Sequence, residues 1–170
     1  MDTTPNLALG RPTFASSMYP KCSPTRAVDG VTQYGSLDSD YPQVFHSAEK
    51  DIAPWFSVDL GTTSASVSRV AIWSRCDADQ PWVNAELRIG NTSIQSYADT
   101  SALTSNPLVW ILDTAIGKCS VQVVSFNTFK VGRWVTLQMK QPAYLVITEM
   151  QVFGYTGARS NADTSPSYTN

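Results

Sequence analysis

The chain has 170 residues, of which 42% are hydrophobic and 15% charged, with a formal net charge of −2 and an isoelectric point near 5.2. That length suffices for one domain with a real core. The 12 Lys and Arg residues are scattered singly, without the run or stripe that a nucleic-acid surface needs. No apolar run approaches the roughly 18 residues of a membrane span; the longest are pieces such as Leu108 to Leu112 and Ala143 to Ile147.

In chain order, Met1 to Pro5 lacks the pattern of a signal peptide. Asn6 to Phe56 carries few strand signals and much Pro, Ser, Asp and Tyr, too long for an idle connection and so a place for function. Strands are expected at Val67 to Ser74, Ala85 to Ile89, Pro107 to Leu112, Ser120 to Phe126, Arg133 to Met139 and Tyr144 to Tyr155. These segments are rich in Val, Ile, Trp and Phe and are parted by Gly, Pro, Asn and Ser. In Arg133 to Met139, Val135 and Leu137 alternate with Trp134 and Thr136, the pattern of a half-buried strand. No stretch keeps a 3.6-residue apolar period long enough for a substantial helix. The reading is all-β, a sandwich or jelly roll, with one domain over residues 1–156 and a polar tail, residues 157–170, expected to be disordered.

Cys22, Cys76 and Cys119 show no C-x-x-C spacing, which excludes the common metal and redox motifs. One disulfide, of the kind secreted domains use, is compatible with three cysteines, but spacing does not select the pair. Asn91-Thr92-Ser93 is a glycosylation sequon on an expected surface turn.

The polar chemistry gathers at His46, the single histidine, and at Arg75 and Asp77. Arg offers up to five donors in a fixed fork, and neutral His offers one donor and one acceptor, a set suited to a polyhydroxylated ligand. Two residues after Arg75 in extended chain, Asp77 points to the same side and can hold the fork. The plain alternative for the pair is a surface ion pair of little energetic weight. Glu149 is in phase with Leu145 and Ile147, so its carboxylate is expected to be buried and to need either a cation or an Arg partner. Neither H-E-x-x-H, G-x-S-x-G nor a phosphate loop is present, and a non-enzyme is expected.

Six blocks stand in a specific order: Asn6 to Pro12, Arg26 to Gly30, Pro54 to Gly61, Ala85 to Gly90, Gly132 to Val135, and Ala143 to Glu149. In these blocks the chain resembles the F-type lectins, fucose-binding members of the discoidin-like fold. The resemblance implies an eight-stranded antiparallel β jelly roll, a sugar site in the loops at one end and a structural Ca²⁺. The family's sugar motif is a His, a spacer, then Arg-x-Asp-x-x-x-x-Arg or Lys. His46, Arg75 and Asp77 match it, with 28 residues between His46 and Arg75, slightly more than usual. The last basic position falls on Trp82, a departure, and the vicinal Cys pair common after the Asp is replaced by Ala78 and Asp79.

The resemblance makes Trp82 either a stacking platform for the sugar or ordinary packing. It makes Phe45, Tyr34 and Tyr41, in the loop before His46, candidates for the pocket that receives the sugar methyl group. For Ca²⁺ it implies carboxylates from Asp29 and Glu149 and backbone carbonyls from Arg26, Val31, Thr148 and Gln43, a hard-oxygen set. The implied function is a calcium-containing lectin for terminal fucose or a related sugar, secreted, with fucosylated glycans as partners. Weak single-site affinity favours a homo-oligomer or tandem domains. The alternatives, prompted by Trp82, are altered sugar specificity or a discoidin-like adhesion module that binds protein or lipid headgroups.

Overall fold

The computed structural model describes residues 3–33, 43–78, 82–96 and 104–160. Ten strands form within them: β1 (Thr13–Ala15), β2 (Phe45–His46), β3 (Trp55–Asp59), β4 (Ser66–Trp73), β5 (Ala85–Gly90), β6 (Leu108–Leu112), β7 (Val121–Val131), β8 (Trp134–Met139), β9 (Val146–Ile147) and β10 (Glu149–Tyr155). The five-stranded sheet runs β1-β3-β8-β5-β6 and the three-stranded sheet β10-β4-β7, while β2 and β9 form a separate ribbon. Every strand pairing is antiparallel. The two larger sheets together hold the eight strands of the expected β-sandwich, and the ribbon is an addition at one end.

The core lies between the sheets. Val58, Leu87, Ile89, Val135 and Leu137 come from the five-stranded side, and Val67, Val70, Ile72, Val124, Met150 and Val152 from the three-stranded side. Inward-facing apolar residues from two antiparallel sheets interdigitating in this way make the sandwich. Gly132 lies so close to the backbone of Gly90 that a Cβ there would come within 2.6 Å of the Gly90 amide nitrogen. The turn between β7 and β8 therefore accepts no side chain at that point.

Several boundaries differ from the sequence expectation. Strand β8 is buried along its whole length rather than half-buried. Val135, Leu137 and Met139 enter the main core, while Trp134 joins Trp55, Ile94 and Phe14 in a second cluster. Thr136 meets Ser57 by a hydroxyl pair at 2.9 Å. A covered outer face turns an alternating pattern into a fully buried strand. Strand β7 runs on to Val131, and the segment expected at Tyr144 to Tyr155 is interrupted at Thr148. Strands β1, β2 and β3 lie in or at the end of the stretch with few strand signals. The first two are only three and two residues long, too short for alternation to register. Of the C-terminal segment, residues 161–170 lie outside the described residues. The first part packs back: Ser66 Oγ donates to the Gly157 carbonyl at 3.0 Å and accepts from Arg159 N–H at 3.0 Å.

Candidate functional site

The β2–β9 ribbon places His46 opposite Val146. A four-residue turn clasps the strand: Tyr19 N–H donates to the His46 carbonyl at 2.8 Å, His46 N–H donates to the Cys22 carbonyl at 3.5 Å, and Cys22 N–H closes the turn on Tyr19 at 3.0 Å. The imidazole is 6% exposed and its Nδ1 lies 2.6 Å from the Ser47 carbonyl. A carbonyl only accepts, so Nδ1 carries the hydrogen and Nε2 of the neutral ring is an acceptor. Burial is the main force holding the His46 pKa below 6.5; the nearby Arg75 charge acts in the same direction, against the Ser47 contact and the Asp77 and Glu49 charges. Tyr19 and Tyr144 flank the ring, each with its centroid 5.3 Å away. They are 40% and 52% exposed, so the imidazole sits between two accessible aromatic walls.

Arg75 follows the end of β4. Its Nη2 donates to Asp77 Oδ2 at 2.6 Å, and its Nε donates to Asp77 Oδ1. The sequence expectation that Asp77 holds the Arg fork agrees with this bidentate pair. Around it the backbone is pinned several times over. Cys119 N–H donates to the Arg75 carbonyl at 2.9 Å, Ser74 N–H to the Ser120 carbonyl at 2.9 Å, and the disulfide joins Cys76 to Cys119. Cys22 is the buried free thiol. Three of the non-glycine residues with positive φ adjoin this end of the molecule: Lys21 (69°), Lys50 (63°) and Cys119 (51°). Left-handed backbone at such residues persists only where the surroundings over-determine it, and it collects at functional sites.

Two residues assigned to the sugar by resemblance lie elsewhere. Trp82 is 1% exposed and belongs to the main core, which corrects the expectation of a stacking platform: its indole is spent on packing. Phe45 is wholly buried, with its ring 5.4 Å from that of Phe56, because neighbours on a strand point to opposite sides and His46 takes the outer one. Tyr34, Tyr41 and Asp79 lie outside the described residues. The residues that sequence reasoning missed are Tyr19 and Tyr144. Tyr144 stood inside a matched block, whereas Tyr19 had no signal beyond the turn residues around it.

Glu149 opens β10 opposite Trp73, and Met150 lies opposite Ile72. Met150 and Ile72 are core residues, so Glu149 faces the other side of the sheet, which corrects the expected phase with Leu145 and Ile147. The break at Thr148 shifts the alternation by one. That residue is anchored by its N–H to the Trp73 carbonyl at 2.9 Å and by its hydroxyl to the Ser74 carbonyl at 3.0 Å. The Glu149 carboxylate is nevertheless fully buried, under the turn that ends the 3-10 helix Pro24–Val28. Gly30, with φ of 88°, donates its N–H to Glu149 Oε1 at 3.2 Å, while Oε2 is buried without a hydrogen-bond partner. Burial above all, with the Asp29 charge also contributing, pushes the Glu149 pKa up to about 8.

An orphaned carboxylate oxygen beside a second carboxylate is the arrangement a hard cation relieves. Among the described residues no three His, Cys, Asp or Glu gather to hold a metal, so an ion here would draw on backbone carbonyls as well. Asp29 caps its own turn, accepting from Val31 N–H at 2.9 Å. Arg26 lies in the 3-10 helix, and Val31 and Gln43 are exposed.

No family model matches the chain, and no curated protein does. Among solved structures, the fucolectin from striped bass (Morone saxatilis) serum aligns with a TM-score of 0.76 and 26% identity over 91% of this chain. The lectin domain of lectinolysin, solved with Lewis B antigen, aligns with a TM-score of 0.69 and 26% identity over 88% of this chain and 96% of its own. In fold, and over most of its length, the chain is similar to these fucose-binding lectins. It spans 50% of the length of the bass protein. A family 32 carbohydrate-binding module from C. perfringens NanJ, solved with galactose, shares the fold alone with this chain, at 19% identity and a TM-score of 0.63 over 85% of this chain and 93% of that one. These neighbours are lectins and binding modules rather than enzymes.

Proposed function

We propose that this chain is an F-type lectin that binds carbohydrate, with a terminal fucose or a closely related sugar held between Tyr19 and Tyr144. The observation that carries the reading is the buried neutral His46, set between two accessible tyrosine rings beside the Arg75–Asp77 pair. His46 Nε2 accepts from a sugar hydroxyl, and Arg75 donates from the nitrogens that Asp77 does not occupy. The tyrosines pack the apolar edge of the ring, where large, rigid amphipathic side chains give contact at low entropic cost. With Trp82 in the core, the site uses one cation fewer than the family motif. That absence favours a shifted preference among fucose-like sugars as the second reading. The same departure prompts an adhesion module for protein or lipid headgroups, which would leave a glycan array silent.

Ca²⁺ fits Glu149 and Asp29, with carbonyls of Arg26, Val31, Thr148 and Gln43 to complete the set. Bound there, it would neutralise two carboxylates and tie the Asp29–Gly30 turn to β10, steadying the sheet end from which Arg75 projects. The Cys76–Cys119 disulfide supports a secreted protein, since such bonds persist in oxidising compartments. The neighbours named for fucosylated ligands support fucosylated glycans as partners. The deciding experiment is a glycan array with Ca²⁺ and again with EDTA. Fucosylated signals that vanish in His46→Ala and Arg75→Ala support the reading; silence on every glycan from demonstrably folded protein refutes it.

A further inference from the structure

Tyr144 also lines a pocket of about 210 Å³, together with Lys50, Asp51, Pro142 and Ala143. Tyr144 is thus a wall common to this pocket and to the His46 site. The loop that carries Lys50 is built rigidly. Asp51, 8% exposed, accepts from Ser16 Oγ and Ser17 Oγ at 2.5 Å each through Oδ2 and from Ala53 N–H at 3.1 Å through Oδ1. Ala48 N–H donates to Ser17 Oγ at 3.0 Å. Lys50 itself is exposed and held at φ of 63°, a conformation that glycine adopts freely and an L side chain only at a cost. The fold therefore sets a long cationic donor at a pocket whose other lining residues are Asp51, Pro142, Ala143 and Tyr144. A few polar groups on a largely apolar concave wall are the usual make-up of a small-molecule site.

We propose that this pocket is a second subsite, which takes the neutral sugar residue linked to the terminal one, with Lys50 donating to its hydroxyls and Tyr144 contacting both residues. The subsite rests on the terminal-sugar reading of His46 and Arg75. A carboxylate, Asp51, lines the same pocket as Lys50, so the pocket suits a neutral hexose rather than a carboxylated or sulfated one. Asp51 is saturated by its hydroxyl and amide donors and serves to hold the loop.

The test is calorimetric titration of the whole protein, in Ca²⁺, with methyl α-L-fucoside and with 2′-fucosyllactose and 3-fucosyllactose, whose linkages aim the second sugar differently. The wild type is expected to bind at least one trisaccharide about tenfold more tightly than the monosaccharide, the effect of one charge-assisted hydrogen bond. In Lys50→Gly, which also frees the left-handed backbone, that gain is lost. Monosaccharide affinity stays within about twofold, as for independent sites, and the melting temperature is no lower. Equal binding of all three sugars by the wild type, or an undiminished trisaccharide gain in Lys50→Gly, overturns the subsite and leaves the terminal-sugar reading standing. No binding of any of the three by folded wild type overturns both.

Discussion

Glu149→Gln gives the most direct measure of how the acidic pair is managed. Burial raises the pKa of Glu149 from 4.5 to about 8. In metal-free protein the folded state therefore holds the proton more tightly than the unfolded chain does. The stability this contributes is fully present below pH 4.5 and is lost as pH rises through about 8. At 1.36 kcal/mol per unit the whole window spans about 5 kcal/mol, and by pH 7 about 3 kcal/mol has gone. An amide keeps the acceptor that Gly30 N–H needs at 3.2 Å and carries no charge. In EDTA, Glu149→Gln should then melt above wild type at pH 7 to 8, by about 6 to 12 °C for a domain of this size. The two proteins should converge near pH 4.5. Adding Ca²⁺ should raise the wild-type melting temperature with little effect on the variant, since only a carboxylate gives a divalent ion a charged ligand. Differential scanning calorimetry at several pH values with EDTA and Ca²⁺ reads all of this. A Gln variant less stable than wild type in EDTA at pH 8, or a wild type whose stability ignores pH between 5 and 8, would show that Glu149 is not held protonated by burial.

Three further outcomes are expected. Trp82→Ala should cost about 3 to 5 kcal/mol in chemical denaturation, the usual penalty for emptying a core aromatic site. Trp82→Phe should stay folded and keep its sugar affinity, and a selective loss of sugar binding in that stable variant would return Trp82 to the site. Removing the Cys76–Cys119 bridge, which spans 43 residues, should cost about 4 kcal/mol by loop-closure entropy, read as a lower urea midpoint in Cys76→Ser/Cys119→Ser. The His46 pKa lies below 6.5, so its neutral acceptor form should persist through pH 6.5. Sugar affinity followed from pH 8 to 4.5 should show no step at 6.5 and should fall only lower, as Nε2 gains a proton; a midpoint at or above 6.5 contradicts this.

The sandwich was legible where strands are long and alternate: Val67 to Ser74 and Ala85 to Ile89 fall within a residue of β4 and β5. It was illegible at β1 and β2, whose three and two residues carry no period. Strand β3 was read only as the family block Pro54 to Gly61. The outer cover of Trp134 by Ile94 and Phe14 is a tertiary event that no local pattern announces. At the site, the Arg75–Asp77 pairing followed from an i,i+2 spacing in extended chain. Phe45 was a candidate only as an aromatic of the loop before His46; it lies instead on a strand, where alternation sends the two neighbours to opposite sides. Glu149 was rightly buried for a wrong reason, since Thr148 shifts the phase and the cover comes from a turn distant in sequence. Tyr19 reaches His46 only through the backbone clasp at residues 19–22, a contact that sequence spacing does not encode.

The proposed sugar site is built on His46 and Arg75. Titration of methyl α-L-fucoside into wild type, His46→Ala and Arg75→Ala, each verified as folded by circular dichroism, tests it most directly. Saturable binding by wild type is expected, with Arg75→Ala weaker by tenfold or more, the effect of about one charge-assisted hydrogen bond, and His46→Ala likewise impaired. Wild-type affinity retained in both variants would place the sugar site elsewhere on the molecule.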